Sequence, residues 1–384
     1  MKKFTLFVLF VLFLILQNKD VFSQDVFNKN ISNFVCVDRY GKKVDNNKLQ
    51  VYDDSLISWK YEIIETLCFK LFISKDNNYY KFFGDSSSLE AQKKRVALKQ
   101  VFEDISTIFN TGSSSLTSDS KPKIEVIFYD ENSSEGGLGI PFFDVPINKN
   151  GVIVNSLILS ALITTQDVTE GTIYHNSFYG RLKINIHNIM NIDISSTKFS
   201  KLDFYSIILH EIFHMLGFGS SVLSMDTSVQ QDYFTYFDNF IYFKENSTGN
   251  LIKMIIRENG KYTFNKEFKS EYLIKNDIGK LIFKTNDGSQ IPLLTENTFE
   301  YGSSLSHINS EERYKKYVMF PTLSNGEYRR KPSLDEMRIL ATLGYKLTNI
   351  YGYGADTTRF EVYDEQQISS PFAKNIIIKD RAKL

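Results

Sequence analysis

Five residues carry the strongest chemical signal in the chain: His210-Glu211-Ile212-Phe213-His214. On a helix, positions i and i+4 stand one turn apart on the same face, so the two imidazoles point the same way. Two such rings bind one Zn²⁺ at about 2.0–2.1 Å each. Glu211, beside the first ligand, stays out of the metal's first shell. There it serves as general base toward a zinc-bound water whose pKa the metal lowers to about 7. The alternative is a buried helix whose histidines only pack. The surrounding residues Ile207, Ile208, Leu209, Ile212, Phe213, Met215 and Leu216 are apolar, and polar groups buried there without a metal would be costly. The chain has five histidines in all, so the pattern is rare by chance.

A catalytic zinc needs a third protein ligand and one open position. The extended pattern H-E-x-x-H-x-x-G-x-x-H is met at Gly217, but position 220 is Ser. The remaining histidines are His175, His187 and His307. His187 is expected on the outer face of a strand, Leu182 to Asn188, whose residues alternate apolar and polar. His307 lies in Ser303-Ser304-Leu305-Ser306-His307 and is followed by Tyr317-Val318-Met319-Phe320-Pro321. A Met beneath a three-His site belongs to the metzincin pattern.

From His210 to Gly219, through a distant Ser-His and Val-Met-Phe-Pro, to a closing helix ending Leu343-Gly344-Tyr345, the chain resembles the leishmanolysin family of metzincins and its bacterial relatives. The resemblance covers about residues 180 to 346. It implies an insertion after Gly217 that displaces the third ligand to His307, and Met319 as the Met-turn residue. It also implies an edge strand, Leu182 to Asn188, that binds an extended peptide by backbone pairing. The chain departs from the better-known members in having only two cysteines, Cys36 and Cys68. These are read as one disulfide, with Cys36 as a thiolate cap on the metal as the alternative.

The elements that must position these residues follow from periodicity. Ser87-Ser88-Leu89-Glu90 has capping-box spacing, and apolar residues from Leu98 to Phe109 continue it as an amphipathic helix to about Asn110. Ile124 to Tyr129 reads as a strand, followed by a polar loop containing Gly136 and Gly137. Asp203 caps the motif helix, which stops at Gly217. Ser220 to Ser306 reads as mixed strands and turns. Ser333-Leu334-Asp335-Glu336 is a second capping box and opens a helix closed by Gly344. The tail from Tyr351 is polar at first and then holds a short apolar strand, Ile376 to Ile378.

The expected class is α+β: a metzincin-like zincin with a twisted mixed sheet and active-site helix above and an irregular lower lobe with a C-terminal helix below. Residues 1–24 read as a signal peptide: Lys2 and Lys3 precede an apolar run, Phe4 to Leu16, too short for a membrane span. Residues 25–85 are an N-terminal segment or pro-region. Residues 86–346 form the catalytic domain, divided at 217/218, and 347–384 a tail. Lys+Arg and Asp+Glu balance at 45 each, which gives no electrostatic case for nucleic acid.

The function expected is a secreted zinc endopeptidase with one catalytic Zn²⁺, acting on a protein or peptide substrate as a monomer without a stable membrane span. A periplasmic or cell-surface location is the alternative. One rival is a thermolysin-like zincin with Glu311 or Glu312 as third ligand. The other is a secreted zinc-binding or adhesion protein that keeps the scaffold without proteolysis.

Overall fold

A computed structural model describes residues 34–38 and 60–348, apart from 86, 110–115, 147–150, 165–176, 189, 197–199, 224–230, 275–278, 296–297 and 301. The signal segment, most of 25–59, His175, the tail and its apolar run lie outside the described residues. The protein is a mixed α+β structure with five helices among the described residues.

The upper half is built on strands β1 (Phe34–Asp38), β2 (Tyr61–Glu65) and β3 (Lys70–Ser74), helices α1 (Asn77–Phe83) and α2 (Leu89–Ser106), and strands β4 (Lys123–Tyr129) and β5 (Gly137–Pro146). Next come β6 (Val152–Val154), α3 (Leu157–Thr164) and β7 (Gly180–Asn185). Six of the strands form one sheet in the order β1-β5-β7-β4-β3-β2. β3, β4 and β7 run parallel, while β5 is antiparallel to β7. β3 holds a continuous apolar run, Leu71-Phe72-Ile73, while β7 alternates apolar with polar residues. Ile124, Val126, Phe128, Leu182 and Ile184 are all buried.

The cap of α2 is Ser88, one residue later than the capping-box spacing suggests. Its side chain accepts from Ala91 N–H, while the Ser87 hydroxyl donates to Asp85. The helix ends at Ser106, short of the expected Asn110. Phe102 packs edge-on against Phe69.

Short parallel strands β8 (Met190–Asn191) and β9 (Leu202–Asp203) lead into α4 (Phe204–Met215). Asp203 caps it by accepting from Ser206 N–H, and is itself clamped at both carboxylate oxygens by Arg330 at 2.5 and 2.9 Å. All of α4 is buried except His210, which is intermediate. A helix apolar all round belongs in a core, and α4 sits between the sheet, α2 (Tyr205 Oη to Asp104, 2.8 Å) and the lower half.

The lower half contains β10 (Tyr233–Thr235), β11 (Ile241–Glu245), β12 (Leu251–Lys253), β13 (Ile255–Glu258), β14 (Lys261–Phe264), β15 (Gly279–Lys284) and β16 (Gln290–Pro292), then α5 (Leu334–Leu343). β12-β11-β15-β16 form an antiparallel sheet, and β13-β14 a hairpin turned on Asn259-Gly260, both with positive φ. β10 pairs in parallel with β6, tying the two halves together. α5 has the expected capping box, with Ser333 and Glu336 bonded reciprocally, and ends at Gly344 in the left-handed conformation.

Three expectations change. β7 is not an edge strand: β4 pairs on one side of it and β5 on the other. It ends at Asn185, and His187 lies beyond it with Nδ1 3.0 Å from Asp130. The polar stretch with Gly136 and Gly137 is not a loop throughout, since β5 begins at Gly137. The disulfide also fails. Cys68 is a buried free thiol, its Sγ 3.7 Å from Ser106 O, in the turn joining β2 to β3. Cys36 is on β1, at the opposite edge of the sheet. Strands about 4.8 Å apart put the two edges well beyond the roughly 7 Å Cα separation a disulfide can span. The Cys36 side chain, and with it the thiolate-cap alternative, lies outside the described residues.

Candidate metal centre

α4 brings His210 and His214 to the floor of a cleft of about 680 Å³, and the lower half supplies His307 from the opposite wall. The ligand-capable nitrogens of the three rings lie within 4.8 Å of one another. The Nε2 atoms of His210 and His307 are 3.2 Å apart.

The other ring nitrogen of each histidine meets a backbone carbonyl. His210 Nδ1 is 2.7 Å from Val318 O, His214 Nδ1 is 2.9 Å from Phe218 O, and His307 Nδ1 is 3.0 Å from Ser303 O. A carbonyl can only accept, so each Nδ1 carries the proton and each Nε2 presents a lone pair. Two lone pairs at 3.2 Å repel unless a cation lies between them. The donor set therefore fits a metal ion held by three imidazoles. His214 and His307 are buried and His210 lies open to the cleft.

The local backbone explains how a helix and a remote loop meet here. At Gly217 φ is +90°, a left-handed turn that lets Phe218 come back to bond His214. Ser220 occupies the position where a third motif histidine would fall. Its N–H donates to Ser306 Oγ at 3.1 Å, next to His307. His307 is thus docked beside the position at which the extended motif would place its third histidine.

Met319 is fully buried. Val318 O receives His210, and Met319 O receives the N–H of Ile308, the residue after His307. Met319 N–H donates to Glu336 Oε1 at 2.6 Å, and Ser333 N–H to Glu336 Oε2 at 2.6 Å. The turn at Met319 is therefore anchored from below by the capping carboxylate of α5. Burial pushes the Glu336 carboxyl up to about 7, against the opposing pull of those two N–H donors.

Glu211 is 7% exposed and lines the cleft. Its Oε2 accepts the Gly139 N–H at 2.6 Å. This contact was not legible in the sequence. A Cβ at Gly139 would collide with the Glu211 backbone carbonyl, so β5 can lie this close to α4 only with glycine at that position.

The register of β5 shows which of its groups face the cleft. Asn185 N–H bonds Gly136 O and Phe142 N–H bonds Tyr179 O, so the even-numbered residues of β5 bond toward β7. Gly137 and Gly139 turn their N–H and C=O outward. β1 covers only Phe142 to Pro146, and among the described residues no strand pairs outside 137–141. The cleft-side edge of the sheet is thus β5, where the sequence pointed to Leu182 to Asn188.

No protein-family model, curated protein or solved structure matches the chain. What the site can do rests on its own geometry. Of the expected ligands, His210, His214 and His307 come together. Glu311 and Glu312 do not join them: Glu311 pairs with Lys280 at 2.9 Å and Arg313 at 3.1 Å, Glu312 with Lys315 at 3.4 Å, and neither lines the cleft. Among the described residues no helix is long and apolar enough to cross a membrane.

Proposed function

We propose that the protein is an exported zinc endopeptidase of metzincin type, as its sequence resemblance to the leishmanolysin family implies. The observation that carries this reading is a buried carboxylate one residue from a metal ligand, in an open cleft, beside three histidines whose Nε2 atoms converge. A purely structural site would be closed and four-coordinate. Here three protein donors and a cleft leave room for substrate.

His210, His214 and His307 would hold the ion, and their Nδ1–carbonyl bonds fix the rings. Zinc bound there would supply a Lewis acid for the scissile carbonyl and would make water acidic enough to lose a proton near pH 7. Glu211 then does the proton work. With Oε2 fixed by Gly139 N–H, Oε1 takes the proton from the attacking water and passes it to the leaving amine nitrogen. An extended peptide would add as a strand against the outward N–H and C=O of Gly137.

The test is metal removal. Cleavage of a peptide library by the purified mature protein should be abolished by a chelator and restored by Zn²⁺. His307→Ala should lose zinc on dialysis. Full zinc retention and activity in His307→Ala would sink the ligand set. A binding or adhesion protein, by contrast, would hold zinc and cleave nothing.

A further inference from the structure

Beyond the metal, the cleft wall carries one buried cation, Arg329, and its placement bears on which peptides fit. Arg329 lines the cleft together with Ser206 and Ile207 of α4 and with Phe320 and Leu323 from the segment after Met319. Its side chain is 5% exposed. The backbone N–H donates to Ser206 Oγ at 2.6 Å, one helical turn before His210, which pins the residue beside the metal centre. The guanidinium lies over the Phe320 ring at 4.9 Å and donates from Nη1 to Phe320 O at 3.3 Å.

The charge is poorly matched. Its carboxylate contact is Glu327 at 3.4 Å, and Glu327 also pairs with Lys315 at 3.2 Å. Burial accordingly pulls the Arg329 pKa below its ordinary value. A guanidinium has five N–H donors in a planar fork suited to a carboxylate. Two of them are used here, one at each of Nη1 and Nη2. Glu135 and Glu300 also line the cleft but are solvent-exposed, where water screens their charge.

We infer that Arg329 is a specificity determinant that selects an acidic side chain, Asp or Glu, on the side of the scissile bond facing the first turn of α4. One helical turn, about 5.4 Å, corresponds to one or two residues of an extended peptide at about 3.3 Å each. The selected position therefore lies a few residues from the cleaved bond. This inference rests on the peptidase reading. The carboxylate would take donors of Arg329 not engaged by Phe320 and Glu327, and the apolar walls from Ile207 and Leu323 would exclude water from the pair.

The experiment uses the zinc-loaded mature protein and peptides identical except for Asp, Leu or Lys at each of the three positions on either side of the cleaved bond. Wild type should prefer Asp at one position by about 10- to 100-fold in kcat/KM, the range of a hydrogen-bonded charged contact. Arg329→Met should bring that ratio near one, and Arg329→Lys should keep part of it. Glu327→Gln, at a half-exposed residue, frees the guanidinium and should raise the preference.

Binding of the same peptides to zinc-loaded Glu211→Ala, read by fluorescence anisotropy, should rank Asp over Leu in the same way. If peptides are cleaved without an acidic preference, or if Arg329→Met keeps it, the inference is overturned while the peptidase reading stands. If nothing is cleaved but Glu211→Ala still ranks Asp first, the peptidase reading fails and the recognition role of Arg329 stands.

Discussion

Residue chemistry decides whether this cleft is a catalyst. On the proposed reading Glu211 and the three histidines have separable tasks, so their variants should separate too. Glu211→Gln keeps the volume and a carbonyl oxygen to accept the Gly139 N–H. It should retain zinc at wild-type stoichiometry and lower kcat by about 10²–10⁴-fold, the contribution of a positioned acid–base group. Equal kcat in the two proteins would remove Glu211 from the mechanism.

The histidine pair on α4 and Glu211 between them were legible in the sequence because one helical turn carries all three. His307 was reachable only through resemblance, because no local spacing ties residues 210 and 307. The ties are spatial: Ser220 N–H to Ser306 Oγ and the 3.2 Å approach of the rings. The Gly139 contact with Glu211 left no sequence signal, since a glycine in a polar stretch reads equally well as a turn.

The secondary-structure elements set how tightly the site is held. β5 lies against α4 because Gly139 has no side chain. Gly139→Ala should therefore force the strand from the helix and lower thermal stability, by about 1–3 kcal/mol as overpacking does. The same shift should weaken cleavage more than zinc binding, because it moves the Glu211 partner and leaves the histidines on their carbonyls. Calorimetry and zinc titration on the variant read the two effects separately, and an unchanged melting temperature would contradict the packing account.

The tie between α5 and the Met319 turn gives a pH signature. Burial raises the Glu336 carboxyl to about 7, above its ordinary 4.5. The folded state then holds a proton that the unfolded state releases. Glu336 costs nothing below about pH 4.5, and its penalty grows between 4.5 and 7 and is constant above. At 1.36 kcal/mol per unit the whole change is about 3 kcal/mol. Stability measured by denaturant titration should show this falling component, and Glu336→Gln should lack it. A component of the same size in Glu336→Gln would assign it elsewhere.

The capping box that creates this anchor was plain from Ser333 to Glu336, and so was the Asp203 cap. β5 was missed, and the sheet edge was therefore assigned to the wrong strand. The alternation in Leu182 to Asn188 mimics a half-exposed edge, yet Arg181 and Lys183 lie only partly exposed, Arg181 pairing with Glu125 at 2.7 Å. Period-two patterning reports which side chains face water, and says nothing about which backbone edges are already paired.

At the scale of the whole molecule, the metal should act as a staple between the two halves. His210 and His214 come from the helix under the upper sheet, and His307 from the lower half. A ligand bound to the folded state alone stabilises it by RT ln(1 + [L]/Kd), about 2.7 kcal/mol at 100 Kd. Zinc at that excess should raise the melting temperature by about 3–5 °C in a domain of roughly 300 residues. His307→Ala should lose most of that increment. A metal-independent melting temperature in the wild type would mean that the histidines do not join the halves.

Balanced charge could not show that the two halves share one core. That emerges from long-range packing, such as β6 on β10 and Tyr345 Oη on Leu216 O at 2.9 Å.

The most direct test of the central claim pairs zinc content per chain with peptide-library cleavage, on purified mature wild type and Glu211→Gln together. The account predicts one zinc per chain in both proteins and cleavage in the wild type alone. Zinc in both with cleavage in neither would contradict it, as would cleavage that survives the loss of Glu211.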